Sequence, residues 1–440
     1  MVLLYIEANY FKMKNIIIVV ILLISNTFFG QTSEEWRLTL PSGTLQGTLL
    51  TPKAKKPKVV LLIPGSGPTD RNGNSATMQN NSLKMLAENL AKHQIATLRI
   101  DKRSIAQSKI KNFNESEVSF DDFINDAVKW IDTLKQTHRF SEIWVAGHSQ
   151  GSLVGMIAAK RANATGFISL AGAGSNIGDV IKEQLKYSAK PIRDFAYKAL
   201  DSLQAGKRIS KVPPLLYSLF RPSIQPFWIS WMKYNPTEEI QKLKIPVLII
   251  NGTTDLQVSV DEAYKLHNAN PVNKIVIIDG MNHILKKAPK ERQANLKTYA
   301  DPDLPLHSKL VPAIVNFMKI TDEEFHTFYN YPFIYLYHNG KLLRQFEQAN
   351  GEEVKNLEYK GITKSKKGFN LTFQWGGFNY SHLNTFIFKT KKKQLFLVCI
   401  ETKIYENMTD KTTKHTNKIK PILLKDISLK KIYSDRSLTL

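Results

Sequence analysis

The sequence predicts an α/β fold: a doubly wound, mostly parallel sheet with a helical cap inserted in it and a small β-rich C-terminal appendage. Three observations carry this. Short apolar runs of strand length alternate with segments whose apolar residues recur at helical spacing, as in successive parallel βαβ units. Between 178 and 241 that rhythm stops, in a segment rich in aromatics and broken by prolines. Beyond Thr321 it gives way to strand-like runs separated by Gly or Lys clusters.

Residues 35–50 (EWRLTLPSGTLQGTLL) alternate apolar and polar around Pro41-Ser42-Gly43, a hairpin pattern. Val59–Ile63 is a short buried strand ended by the tight loop Pro64-Gly65-Ser66-Gly67-Pro68. Leu83, Leu86 and Leu90 place a helix in 79–93, and Ile95–Ile100 is the next strand. Phe123, Ile124, Ala127, Val128, Ile131 and Leu134 line one face of a helix over 120–137. A strand at 143–146, a helix at 152–162 and a strand at 166–170 follow. After the 178–241 excursion, which reads as a cap over a site, strands are expected at 245–250 and 274–278. Helices are expected near 260–268 and 305–319. In the appendage, 325–440, Asn339-Gly340 makes a hairpin turn, and 369–373, 386–388 and 395–400 are further strands.

Composition narrows the function classes. The chain of 440 residues is 42% hydrophobic and 22% charged, ordinary for a globular protein, but its formal net charge is +23. An anionic surface would attract such a chain. No Arg-rich stripe with interleaved aromatics is present, so nucleic acid is not an expected partner and the lysines read as a solubilising surface. The single cysteine, Cys399, excludes an intramolecular disulfide and a Cys-based metal site. Lys12 and Lys14 precede the apolar run Ile16–Ile24, with Gly30-Gln31 beyond it. A basic start, a short apolar core and a small exit residue make residues 1–30 an expected signal peptide, with Met13 a second candidate start. The run is too short to span a bilayer comfortably, and no cysteine follows it to carry a lipid. The expectation is an exported protein, periplasmic or secreted.

The stretch V-A-G-H-S-Q-G-S at 145–152 centres a Gly-x-Ser-x-Gly pattern on Ser149, with an expected strand before it and a helix after it. That context exposes a serine on a sharp turn and aims a helix N-terminus at developing negative charge. A serine hydroxyl needs a base, and the base an orienting carboxylate. Asp255 follows the strand at 245–250 and His283 the strand at 274–278, in the order acid then base. Considered singly, Asp255 is a turn residue and His283 a loop histidine; the ordered trio reads as a triad. Asp279 is better placed to brace its turn, and His148 is expected to point elsewhere. Asp261 looks like a helix start, and neither His267 nor His307 follows a strand. Two N–H groups must hold an oxyanion, and the backbones of Gln150 and Ser66 are the candidates.

These residues carry a resemblance. From about 35 to 320 the chain resembles the α/β-hydrolase superfamily, and within it exported bacterial esterases of the serine aminopeptidase and bile-acid-acyltransferase-like groups. The resembling stretches are LLIPGSGPTDRNGN (61–74), RIDKR (99–103), GHSQG (147–151), IPVLIINGTTDLQV (245–258) and DGMNH (279–283). The resemblance implies hydrolysis of a carboxylic ester of a small molecule through an acyl-enzyme, with no metal and no cofactor. One departure stands out: where the family continues Asp-x-Arg with Gly-x-Gly-x-Ser, this chain has Ser104-Ile105-Ala106-Gln107-Ser108. Peptidase and thioesterase chemistry use the same machinery and stay open. So does a different class, an envelope-binding protein whose basic C-terminal region contacts an anionic surface while the hydrolase fold serves as scaffold. Neither the acyl preference nor the oligomeric state is legible.

Overall fold

The computed structural model describes residues 31–320 and, beyond them, 325–330, 333–338, 341–347, 357–365, 368–376, 380–391, 394–406, 409 and 411–434. The expected signal peptide lies outside the described residues.

The first unit is built on nine strands: β1 (Thr32–Leu40), β2 (Gly43–Thr51), β3 (Lys58–Ile63), β4 (Ile95–Ile100), β5 (Lys109–Ile110), β6 (Ile143–His148), β7 (Gly166–Leu170), β8 (Val247–Gly252) and β9 (Lys274–Ile278). Their order is β1-β2-β4-β3-β6-β7-β8-β9, with β5 on β2. The run β4-β3-β6-β7-β8-β9 is parallel, while β2 pairs antiparallel with β1 and β4. Both faces are covered. Val59, Leu61 and Ile63 of β3 point into one core and Val60 and Leu62 into the other, so an unbroken apolar run satisfies both sides. Each such side chain contributes about 1.5–3 kcal/mol by leaving water.

Helices α1 (Ser82–Lys92), α2 (Phe120–Gln136) and α3 (Gln150–Arg161) link the early strands. The helix read from 79 begins at 82, because Asn81 adopts the left-handed region at φ 55°. α2 starts in a capping box, in which Ser119 and Asp122 exchange side chain-to-backbone bonds. The chain leaves β3 toward β4 on one side and returns to β6 on the other. This reversal puts the loops after β3 and β6 side by side at the carboxyl edge, where ligands collect in open α/β sheets.

Helices α4 (Ile177–Leu185), α5 (Lys190–Gln204), α6 (Tyr217–Phe220), α7 (Gln225–Trp231) and α8 (Pro236–Gln241) occupy the excursion. Its aromatics are partly its own core: Trp228 and Trp231 stack at 5.4 Å, and Trp231 stacks on Phe120 of α2 at 5.3 Å. Polar bonds add to this seating. Phe120 N donates to Ser230 Oγ at 2.8 Å, and Arg221 pairs with Glu115. After β8 come α9 (Val260–Ala269), the short α10 (Arg292–Lys297) and α11 (Leu310–Ile320).

Among the described residues the C-terminal part is all β but for its end. β10 (Phe325–Asn330), β11 (Phe333–His338) and β12 (Lys341–Glu347) form one antiparallel sheet. The hairpin read at Asn339-Gly340 is present as the pairing of β11 with β12, although the two turn residues lie outside the described residues. β13 (Glu358–Ser365), β14 (Gly368–Gly376), β15 (Tyr380–Lys391), β16 (Gln394–Glu406) and β17 (Lys411–Leu423) form a second sheet, paired in sequence order. α12 (Leu429–Ser434) adds Ile432 and Tyr433 to a core centred on Phe369, Phe373, Phe386 and Phe388.

Candidate active site

Ser149 sits between β6 and α3 with φ 54° and ψ −120°, a backbone state that costs on the order of 1–3 kcal/mol. The turn is possible because its flanking residues lack side chains. A Cβ on Gly147 would lie 2.0 Å from Gly151 O, and one on Gly151 would lie 2.5 Å from Ile63 O. The ladder continues through the strained residue, whose N–H donates to Leu170 O at 2.9 Å. Ser149 does not use its side chain to cap α3. The helix begins at Gln150, two residues earlier than its apolar spacing suggests, which leaves its first turn against the serine.

Asp255 and His283 come together as the spacing predicts. His283 Nδ1 bonds Asp255 Oδ2 at 2.8 Å, with both side chains almost completely buried. The other carboxylate oxygen, Oδ1, accepts the N–H groups of Gln257 at 2.8 Å and Val258 at 2.9 Å. The carboxylate is therefore held on both oxygens, and the bond at Nδ1 leaves Nε2 as the nitrogen available for proton transfer. Asp279 braces its turn, accepting Thr253 Oγ1 at 2.8 Å. Asp261 lies in the first turn of α9, His267 in its last, and His307 just before α11.

His148 corrects the reading that it points elsewhere. Its ring packs against His283 with centroids 4.9 Å apart, and its Nε2 bonds His283 O at 2.7 Å. Burial, and next the neighbouring His283, push His148 down to about 4. At neutral pH it is an uncharged neighbour that holds His283 by its backbone carbonyl. Two further residues escaped sequence reasoning. Asn295 donates to Thr254 O at 2.8 Å and accepts from Asn282 Nδ2 at 3.2 Å, tying together the residues that precede Asp255 and His283. Lys102 bonds the carbonyls of Gly65 and Gly67. Both connect segments too far apart in the chain to betray themselves by spacing.

The loop 104–108 resolves the departure from the family pattern. Ser104 and Ala106 stand at φ 56° and 48°, left-handed states at the two positions where the family pattern has glycine. Ser108 keeps its place, with Oγ accepting Gln46 N at 2.9 Å. Upstream, Arg71 spans Asp101 at 2.7 Å and Glu35 at 2.7 Å, which anchors the loop after β3 to the end of β4.

A cavity of about 270 Å³ opens on Ser149. Ser66, Gly67 and Gln150 border it on the sheet side, while Leu219, Phe227, Trp228 and Trp231 close it from the cap. None of its lining residues is Lys, Arg, Asp, Glu or His.

Residues 77–213, just under a third of the chain, match the family model described as Serine aminopeptidase, S33. A curated relative, Esterase EstD of Thermotoga maritima, is 27% identical over 247 residues, or 55% of this chain. The match spans 58% of that relative's length. Two solved structures are also similar. Est1E from Butyrivibrio proteoclasticus, bound to ferulic acid, is 19% identical with a TM-score of 0.45 over 64% of this chain and 98% of that one. Esterase Pf2001 of Pyrococcus furiosus is 17% identical with a TM-score of 0.42 over 66% and 92%. Sheet order, the strand–serine–helix turn and the family match thus agree on an α/β-hydrolase fold.

Proposed function

We propose that the protein is a serine carboxylesterase acting on small or medium, uncharged acyl groups. In this reading Ser149 Oγ attacks the acyl carbon while His283 Nε2 takes its proton, and Asp255 holds the imidazole and offsets its charge. The N–H groups of Ser66 and Gln150 receive the oxyanion. His283 returns the proton to the leaving alcohol, and water, activated by the same nitrogen, releases the carboxylic acid from the acyl-enzyme.

The observation that carries the proposal is the uncharged, aromatic-lined cavity on Ser149. It bears on the choice between ester and aminopeptidase substrates. A peptide's terminal ammonium, once desolvated, is best paired with a carboxylate, and no carboxylate lines this cavity. A neutral acyl chain needs only apolar contact. Export belongs to the same proposal and is supported by the basic start and apolar run of the first thirty residues.

Hydrolysis of p-nitrophenyl acetate, butyrate and octanoate, beside leucine p-nitroanilide, tests this reading. The expected result is ester turnover with a chain-length preference, lost in Ser149→Ala, and no turnover of the anilide. Turnover of the anilide in preference to all three esters would overturn it.

A further inference from the structure

Lys102 lies directly after β4 and Asp101, with its side chain running beneath the loop that follows β3. The residue before it is fixed: Asp101 N donates to Gln46 O at 2.9 Å, and the Asp101 carboxylate is held by Arg71 N and by the Arg71 guanidinium. The Lys102 ammonium is buried, donates to Gly65 O and Gly67 O, and stands 6.0 Å from the ring centre of Phe123. Burying an amine is costly unless it serves as a donor. Desolvation pulls Lys102 down to about 7. A neutral amine still carries two hydrogens, and two carbonyls take them.

The consequence follows from peptide geometry. In a planar trans peptide the C=O and N–H point in opposite directions. The C=O of Gly65 and the N–H of Ser66 belong to one peptide unit. Drawing Gly65 O down onto Lys102 turns the Ser66 N–H to the opposite side, and Ser66 borders the cavity beside Ser149. The next unit is held too, since Ser66 O accepts Thr69 Oγ1 at 2.8 Å. Gly67 O is drawn to the same amine, and the residue after it, Pro68, has no N–H to misplace. The loop lies close against the turn at Ser149, for a Cβ on Gly65 would come within 3.3 Å of the Ser149 Cβ.

We propose that Lys102 is a positioning residue for catalysis, orienting the Ser66 peptide so that its N–H is preset for the oxyanion. The inference rests on the acyl-transfer reading above. A group that presets a transition-state donor acts on kcat rather than on substrate binding. Losing one oxyanion donor costs on the order of 10²–10³-fold in kcat.

The test compares wild type with Lys102→Met and Lys102→Gln on p-nitrophenyl butyrate, counting functional sites by stoichiometric reaction with paraoxon. Expected for Lys102→Met is a fall of about 10²-fold in kcat per titrated site, with KM changed less than about 3-fold. Affinity for a trifluoromethyl ketone, which mimics the tetrahedral oxyanion, should fall by the same factor as kcat/KM. Lys102→Gln, which keeps a shorter donor, should lie between the two, and it carries the test if the Met variant fails to fold. A purely structural lysine would lower the melting temperature or the number of titrated sites and leave kcat per site within about 3-fold of wild type, which overturns the inference. Wild type inert toward both butyrate ester and paraoxon would instead overturn the acyl-transfer reading beneath it.

Discussion

The two β-sheet units of this chain handle their polar residues in opposite ways. In 31–320 the parallel strands all present their carboxyl ends to one edge, so the loops after β3, β6, β8 and β9 bring Ser66, Ser149, Asp255 and His283 to that edge. In the second sheet of the C-terminal part, β13 to β17 run antiparallel in sequence order, so successive turns fall at alternate edges. A meander spreads its loops, whereas a parallel sheet gathers them. The charges differ as well. Residues 325–440 hold 20 Lys and Arg against 9 Asp and Glu, while 1–324 hold 41 against 29. The net excess is thus of similar size in both, but it falls on a much shorter chain in the C-terminal part. The lesson is that strand direction decides which loops meet, whatever the local density of charge.

The sharpest way to separate the units is by function. Asp255→Asn replaces an oxygen that accepts His283 Nδ1 by a group that can donate, which favours the wrong tautomer. We expect kcat for ester hydrolysis to fall by about 10³-fold or more, with the melting temperature little changed. Phe386→Ala addresses the other unit. Phe386 is fully buried, 5.2 Å from the Phe373 ring and 5.7 Å from Tyr433. Its loss should cost about 3–5 kcal/mol of stability, read by denaturant unfolding, while kcat per titrated site stays at the wild-type value. A proportionate loss of kcat would show that the units are coupled.

Acid comes next in size. His148 is pushed below its ordinary 6.5 to about 4 in the folded protein. Between those values the unfolded chain binds a proton that the native state does not, so stability falls as the pH drops from 6.5 to 4 and levels off below. The shift corresponds to roughly 3 kcal/mol. Urea midpoints followed by tryptophan fluorescence between pH 7 and 4 measure it, since Trp375 is the one tryptophan outside 31–320. His148→Gln should flatten that slope. The smallest effect belongs to the 104–108 loop. Ala106→Gly relieves a left-handed alanine and should raise stability by up to about 1 kcal/mol, part of the gain being offset by a freer unfolded chain.

Much of the frame was legible because burial on both sheet faces forces unbroken apolar runs. Those at 59–63, 95–100, 143–146, 166–170, 245–250 and 274–278 all lie wholly or largely within strands of the parallel sheet. Helix ends were less legible, since Asn81 and Ser149 set them by backbone conformation rather than by apolar spacing. The pairing of Asp255 with His283 was legible because strand ends are where an open sheet keeps its ligand-binding loops. Its supports were not. His148, Lys102 and Asn295 act through backbone carbonyls, which any residue supplies, so no pattern marks their partners.

Whether Ser149 is the nucleophile is read from reaction with a fluorophosphonate followed by peptide mass spectrometry. A single phosphonyl adduct, with loss of fluoride, is expected on the peptide that contains Ser149, and none on the Ser149→Ala protein. An adduct on a different residue, or equal labelling of the Ser149→Ala protein, would contradict that expectation.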